Sequence, residues 1–181
     1  NNEGLTTYQK LFLQVLIAVG FFYIYMKNGG QTSWVVGTLH IDIEMGWLYG
    51  LFILLVLVGS SNAVNLTDGL DGLAAGLSLI AFLAMGIISW GSGWVDGYGD
   101  IAIFCFVIVG SLLAFLVFNS YPAKVFMGDT GSLSMGATLA TVAIITDHEV
   151  TWIVVMGVFI IETLSVIIQT ISVKFFNKKV F

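Results

Sequence analysis

The sequence predicts an all-α protein, a polytopic bundle of transmembrane helices, and its composition is the first reason. Of its 181 residues, 58% are hydrophobic and 9% are charged, and the mean hydropathy is +1.00. A water-soluble domain carries roughly 25% charged residues, so this chain cannot cover its whole surface with groups that favour water. The second reason is the length of its apolar stretches, several of which are long enough to cross a bilayer as a helix.

Six apolar segments are predicted to be helices. Five approach the roughly 20 residues that a spanning helix needs: 10–27, 46–64, 73–90, 101–119 and 150–173. The sixth, 133–146, is shorter and rich in small residues, which is typical of a helix packed closely against others in a membrane. We therefore expect residues 1–181 to form a single integral-membrane domain. Its small-residue surfaces suit packing within one chain or between two copies, so a homodimer remains open.

The lysines predict which ends of these segments face the cytoplasm. Six crossings sort the connections into two sets, the first being 1–9, 65–72, 120–132 and 174–181, and the second 28–45, 91–100 and 147–149. Five of the six basic residues lie at the first set and only Lys27 lies near the second. Cytoplasmic connections carry an excess of lysine and arginine. We therefore expect the first set to be cytoplasmic, in a multi-pass membrane protein.

Charge and cysteine content exclude other classes of protein. The formal net charge is −5 with only six basic residues, which leaves no electrostatic footprint for a nucleic acid. The single cysteine, Cys105, lies within an apolar run. A disulfide or a thiolate metal site within this chain is therefore excluded.

The first polar connection reads NLTDGLDG, residues 65–72. Asn65, Asp68 and Asp71 are spaced i, i+3 and i+6, so on a helix they would present one amide and two carboxylates on one face. Gly69 and Gly72 leave little side-chain bulk beside them, so a ligand or another backbone segment can approach. This pattern predicts a polar site at the membrane boundary.

The second polar connection reads NSYPAKVFMGDTGS, residues 119–132. Asn119 lies at a predicted helix end, and Phe126 offers a flat face on which a nucleobase can stack. Asp129 adds a third carboxylate on the same membrane face. It is also a candidate N-cap of the next helix, as are Thr130 and Ser132, and such a helix end favours an anion.

These carboxylates suit a hard divalent cation such as Mg²⁺, which takes one or two carboxylates and completes its shell with water and phosphate oxygens. Bridging a diphosphate, the ion would neutralise charge on the leaving phosphate. Spacing alone leaves simpler interpretations open. A boundary aspartate is commonly a helix cap, Phe126 can be an interfacial aromatic, and Lys124 can be a positive-inside anchor.

An acid within an apolar segment and the two histidines lie outside these two connections. Glu162 is an acid within an apolar segment, and it is either functional or the partner of a polar group such as Gln169. His40 and His148 fall in the second set of connections, far from the polar face, and we expect both to be solvated.

Two stretches resemble the motifs of a known superfamily, the polyprenyl-phosphate sugar-1-phosphate transferases. They are NAVNLTDGLDGLAAG (residues 62–76) and PAKVFMGDTGSLSMG (residues 122–136). Together with IETLSVIIQ (residues 161–169), they are most similar to the phospho-N-acetylmuramoyl-pentapeptide transferases. The resemblance implies transfer of the phospho-sugar from UDP-N-acetylmuramoyl-pentapeptide to undecaprenyl phosphate, giving lipid I and UMP. It further implies Mg²⁺ as cofactor and chemistry at the cytoplasmic face of a lipid bilayer, the bacterial inner membrane.

The resemblance also implies a role for each matching residue. Asp129 would be the Mg²⁺ ligand and, with Asp68, one of the catalytic residues. The remaining positions would bind substrate. Asn65 would lie beside Asp68, and Asp71, Asn119 and Phe126 would surround the uridine. Leu66 and Gly128 would line the uridine pocket. The reaction would proceed either by direct attack of the lipid phosphate or through a phospho-enzyme on an aspartate.

This sequence departs from the family pattern in ways that limit the prediction. The family has ten transmembrane helices, whereas six are predicted here. An aspartate pair expected upstream and a histidine-rich loop expected downstream are absent, and the expected general base belongs to that pair. We therefore expect these 181 residues to be the central portion of the enzyme and to be inactive alone.

Two alternatives to this transferase follow from the same residues. A sister transferase using UDP-N-acetylglucosamine or a related sugar would share the metal and uridine residues. A transporter or channel would instead line an ion path with Asp68, Asp71 and Glu162. Clustering of the acids at one face, away from mid-membrane depth, favours the transferase.

Overall fold

The structure is a computed structural model that describes residues 4–36, 41–92 and 97–176. These ranges form seven helices and one antiparallel two-stranded hairpin. The helices are α1 (Thr7–Lys27), α2 (Leu48–Thr67), α3 (Leu73–Gly91), α4 (Tyr98–Asn119), α5 (Gly128–Ile145), α6 (Glu149–Val155) and α7 (Gly157–Phe176). Strands β1 (Ser33–Val36) and β2 (Ile41–Glu44) lie between α1 and α2, with Ser33 paired to Glu44.

The helical membrane bundle predicted from composition is confirmed, with two differences. Five helices of the described part are long and apolar enough to span a membrane, namely α1, α2, α3, α4 and α7. Helix α5 is less apolar, but its 18 residues extend about 27 Å, enough to accompany α2 across most of the bilayer. The predicted segment 150–173 is divided in two at Met156, where α6 ends and Gly157 begins α7. Seven helices therefore replace the predicted six.

The hairpin is the second difference, because we predicted a plain connection there. Only β2 (IDIE) alternates apolar and polar residues, whereas β1 reads SWVV, and each strand is only four residues long, so no distinctive strand pattern results. The Trp34 ring packs at 6.2 Å from the Phe52 ring of α2, and this contact places the hairpin against the bundle.

Helix α2 is the centre of the bundle and packs against α1, α5 and α7, while α3 packs mainly against α4. Its contact with α5 is close because Gly136 has no side chain: a Cβ there would clash with the Ser60 carbonyl. Its contact with α1 is antiparallel. Gln14 of α1 donates to Ser61 at 3.2 Å and accepts from Asn62 at 3.0 Å, whereas Tyr25 meets Tyr49 near the opposite end.

Apolar packing holds the helices together in two regions. One core contains Phe82 and Met85 of α3, Cys105 of α4 and Leu139 of α5. The other joins α1, α2 and α5 and includes Tyr49 and Ile144. Helix α1 buries only Ala18 among its described residues, so most of its apolar surface faces outward, as expected in a lipid environment.

The alternating helix directions give the bundle two distinct ends. One end holds the start of α1, the α2–α3 connection and the α4–α5 connection, and we call it the site end. The opposite end, here the far end, holds the hairpin and the α5–α6 connection. The start of α1 and the connections 65–72 and 120–132 of the first set thus lie at the end opposite to the hairpin and the connection 147–149 of the second set.

Candidate active site

The polar residues of the two predicted connections meet at the site end. They surround a depression of about 260 Å³. Its lining is Asn65, Asp68, Gly69, Leu70, Asp71, Asn119, Phe126, Gly128 and Asp129. Seven of the eight residues proposed from the sequence are therefore neighbours in space. The exception is Leu66, which is exposed outside the lining, while Leu70, which the sequence reasoning missed, lines the depression in its place.

The end of α2 explains how two of these carboxylates reach the depression. We predicted that Asn65, Asp68 and Asp71 share one helix face, but α2 ends at Thr67 and Asp68 is its C-cap. The following turn ends at Gly72, whose φ of +76° is left-handed, a conformation that glycine adopts without steric cost. The turn, and not a helix face, therefore brings Asp71 to the depression.

Asp129, in the first turn of α5, is held from two directions. Asn65 donates from Nδ2 to Asp129 Oδ1 at 3.0 Å and to Ser132 Oγ at 2.8 Å. The ammonium of Lys10, at the start of α1, forms an ion pair with Asp129 Oδ2. In the sequence, Lys10 contributes to the predicted membrane sidedness, and its place on the same side as the aspartates is the signal for this contact.

The predicted N-cap of α5 is wrong. Met127 occupies that position and no side chain caps the helix, because α5 begins at Gly128 and places Asp129 already within the first turn. Thr130 and Ser132 lie further along the helix. The Asp129 carboxylate therefore does not cap the helix, and it contacts Lys10 and Asn65 instead.

Asp68 lies close enough to Asp129 for the two charges to interact. Burial raises the pKa of Asp68 above the usual range of an aspartate, and the nearby Asp129 carboxylate raises it further. A hydrogen bond from the backbone amide of Gly128 opposes this rise. A cation shared with Asp129 would favour the charged form of Asp68.

Residues from the two connections also bind each other at the opposite side of the depression. Asn119 Oδ1 accepts from the Gly72 amide at 3.1 Å, and Asn119 Nδ2 donates to the Val125 carbonyl at 2.9 Å. Asp71 Oδ2 accepts from the Ala123 amide at 2.9 Å. The Phe126 side chain is 72% exposed. Lys124 does not line the depression.

The donor atoms fit a partial site for Mg²⁺. Asp68 and Asp129 supply carboxylate oxygens, and Asn65 retains its amide oxygen, all of which are ligands that Mg²⁺ accepts. Among the described residues no group of three or more acidic, histidine or cysteine side chains is placed to hold a metal. The arrangement therefore suits an ion that completes its shell with water and phosphate.

The other ionisable residues singled out in the sequence do not line the depression where the structure describes them. Glu162 is exposed on α7, and His40 lies outside the described residues. The expectation that His148 is solvated is wrong, since the residue is half-buried with its ring 6.2 Å from that of Tyr98. Glu149, in the second set of connections, is only 1% exposed and accepts a 2.6 Å hydrogen bond from the Tyr49 hydroxyl.

An apolar helical bundle with an oxygen-rich depression at one end is the arrangement expected of a membrane-embedded transferase. The model of glycosyl transferase family 4 matches residues 3–147, and the chain belongs to this family. This confirms the resemblance drawn from the motifs.

Curated relatives are phospho-N-acetylmuramoyl-pentapeptide-transferases. The chain is 51% identical over 180 residues to that of Geobacillus thermodenitrificans and 48% identical over 180 residues to that of Bacillus subtilis. It is 51% identical over 181 residues to that of Halalkalibacterium halodurans. Each match covers 99% of this chain and 54% of the relative, so the chain spans about half the length of the curated relatives it matches.

Proposed function

We propose that this chain forms the metal- and nucleotide-binding part of a phospho-N-acetylmuramoyl-pentapeptide transferase. The donor would be UDP-N-acetylmuramoyl-pentapeptide, the acceptor undecaprenyl phosphate, and the products lipid I and UMP. The observation that carries this proposal is the single depression that unites residues from both motifs. Its place at a helix-bundle end suits a reaction between a soluble nucleotide and a lipid phosphate.

Asp129 and Asp68 would hold Mg²⁺, with Asn65 keeping Asp129 in place. When bound there, the ion supplies charge neutralisation for the diphosphate of the donor. The Lys10 ammonium lies against Asp129 and can pair with a phosphate oxygen that arrives at the same position. This part of the depression therefore suits the reacting phosphates.

The other part of the depression suits the uridine. The Phe126 ring is exposed and free to stack on a base, and Asp71 uses only Oδ2 in its hydrogen bond to the Ala123 amide. Its second carboxylate oxygen can therefore accept a hydrogen bond from the nucleotide. Leu70 and Gly128 would form the wall of this pocket.

In the transfer, an oxygen of the lipid phosphate forms a bond to the β-phosphorus of the donor. The bond from that phosphorus to the bridging oxygen breaks, and UMP leaves with the electron pair. The general base is expected in residues outside this chain. We accordingly expect the isolated 181 residues to release no UMP.

The experiment that tests this function is an assay of UMP release by the full-length protein with Mg²⁺ and undecaprenyl phosphate. UDP-N-acetylmuramoyl-pentapeptide and UDP-N-acetylglucosamine are compared as donors. Turnover with the muramoyl donor alone supports the proposal, whereas turnover with the other donor identifies a sister transferase. Ion flux in liposomes without nucleotide binding would instead indicate a transporter.

A further inference from the structure

A second polar cluster lies beside the site, between α1 and α2. Gln14 of α1 donates from Nε2 to Ser61 Oγ at 3.2 Å, and its Oε1 accepts from Asn62 Nδ2 at 3.0 Å. Both polar atoms of the Gln14 carboxamide are therefore engaged by α2. None of these three residues lines the depression, so their side chains are not part of its wall.

The cluster also reaches α5. Ser61 is buried and donates from Oγ to the Leu133 carbonyl of α5 at 2.8 Å. Asn62 Nδ2 donates a second hydrogen bond to the Val58 carbonyl of its own helix at 2.8 Å, which fixes the direction of its carboxamide. Association of helices in lipid depends on close packing and on hydrogen bonds between helices. One set of such bonds therefore joins α1, α2 and α5.

The cluster lies one helical turn from the contacts that hold Asp129. On α1, Gln14 follows Lys10 by four residues, so both side chains lie on one face, about 6 Å apart along the axis. On α2, Asn62 precedes Asn65 by three residues. On α5, the accepting carbonyl belongs to the residue four positions after Asp129. The three helices that carry the contacts of Asp129 are thus joined one turn away from it.

The position of the Lys10 ammonium depends on the position of α1, because it ends a long side chain that is itself 34% exposed. Helix α1 buries only Ala18 among its described residues, so packing restrains this helix weakly. The contact between the Tyr25 and Tyr49 rings lies near the opposite end of α1. The hydrogen bonds of Gln14 therefore restrain the end of α1 that carries the lysine.

We infer that Gln14 is a positioning residue, which fixes α1 against α2 and α5 and so keeps the Lys10 ammonium at Asp129. The inference rests on the proposed function, in which this ammonium pairs with a phosphate oxygen. Loss of the carboxamide leaves Asn62 without one acceptor and lets α1 shift, so that an arriving phosphate meets a misplaced ammonium. The part of the depression around Phe126 contains no residue of α1 and should be unaffected.

The first test needs no nucleotide. Lysine acylation by a succinimidyl ester is followed by peptide mass spectrometry in the full-length protein and in Gln14→Met, which keeps the side-chain length and removes both hydrogen bonds. Lys10 should react several-fold faster in Gln14→Met, because the amine is no longer shielded by its carboxylate partner, while Lys27 at the far end of α1 reacts as before. Leu16→Met, an exposed change on the same helix, is the control. Ser61→Ala removes one of the two bonds and should act in the same direction, which decides the question if Gln14→Met does not fold. An unchanged rate at Lys10 would overturn the inference.

The second test separates positioning of the ammonium from general loosening of the site. UDP and uridine affinities are measured with Mg²⁺ for the same proteins. Gln14→Met should weaken UDP binding on the order of tenfold, the loss expected when one hydrogen bond to a charged group is not made, and should leave uridine binding unchanged. Equal losses for both ligands would overturn the inference. Failure of the parent protein to bind UDP would count against the proposed function, whereas the acylation rate would still decide whether Gln14 positions Lys10.

A double-mutant cycle shows whether Gln14 acts through Lys10. In the Lys10→Met background, Gln14→Met should cause no further loss of UDP affinity, because the group that it positions is already gone. Losses that add in full would show that Gln14 acts independently of Lys10, and the inference would then be wrong.

Discussion

At the scale of single residues, substitution of Asp129 tests the proposed Mg²⁺ site. Asp129→Asn removes the carboxylate charge while its Oδ1 can still accept from Asn65. Because a bound metal supplies several kcal/mol of transition-state stabilisation, we expect at least a roughly hundredfold loss of Mg²⁺-dependent UMP release in the full-length protein. The fold in detergent should be retained. Asp100→Asn, an exposed change at the far end, is the matched control, and near-parent activity of Asp129→Asn would remove Asp129 from the metal site.

Substitution of Phe126, again a single residue, tests the part of the depression proposed to bind the nucleotide. Stacking of a base on an aromatic ring contributes about 1–3 kcal/mol, so Phe126→Ala should weaken UDP binding by that amount in calorimetric titration. Tyr121→Ala changes another exposed aromatic of the same connection, outside the depression, and should leave binding unaltered. Equal effects of the two changes would show that the loss does not come from stacking on Phe126.

Glu149 is expected to make the free energy of unfolding depend on pH. Burial raises the pKa of Glu149 above its usual range, and the Asp147 charge adds to this, while the Tyr49 hydrogen bond and His148 oppose it. An acid with a higher pKa in the folded state binds more protons when folded. The free energy of unfolding therefore falls as pH rises from the ordinary glutamate pKa, about 4.3, through the raised one.

Glu149→Gln should remove this pH dependence, because glutamine stays neutral and its Oε1 can still accept from Tyr49. Thermal unfolding in detergent at pH 5 and pH 8 should show a smaller difference for this variant than for the parent. Glu149→Ala should instead destabilise at both values by about 1–3 kcal/mol, since the buried Tyr49 hydroxyl loses its acceptor. A parent protein that is more stable at pH 8 would contradict the argument.

At the scale of elements, the contact between α2 and α5 decides the geometry of the site. Gly136 permits this contact, and the same two helices carry Asn65 and Asp129. Gly136→Ala should push the helices apart and cost about 1–3 kcal/mol of stability, as overpacking does, and it should also weaken nucleotide binding. Gly59→Ala adds the same methyl group to α2 where nothing lies within 4 Å, so it should cause neither effect. Thermal unfolding and UDP titration of both variants check this.

At the scale of the whole molecule, the orientation in the membrane can be measured directly. We propose that the site end faces the cytoplasm, because five of the six lysines lie near the first set of connections. Tyr121 at the site end is 87% exposed and Trp47 near the far end is 80% exposed, while the only native cysteine, Cys105, is buried. A membrane-impermeant maleimide applied to spheroplasts should label Trp47→Cys at once and Tyr121→Cys only after lysis. The reverse pattern would invert the orientation.

The sequence by itself determined the membrane-bundle class and most of the residues that line the depression. Apolar stretches near 20 residues report helices that cross a bilayer, because the backbone must satisfy its hydrogen bonds internally there. Asn65, Asp68, Asp71, Asn119, Phe126 and Asp129 were likewise identifiable, because polar groups at a membrane boundary and two long motifs stand out against an apolar background.

Only the tertiary structure decided how those residues work together. The end of α2 at Thr67, the lining by Leu70 instead of Leu66, the ion pair of Lys10 with Asp129 and the burial of Glu149 all depend on contacts between distant segments. Lys10 and Asp129 are 119 residues apart, and periodicity within one segment carries no information about such a pair. The same is true of Asn119, whose polar side chain is identifiable in the sequence but whose two backbone partners were brought to it only by the packing of α3 against α4.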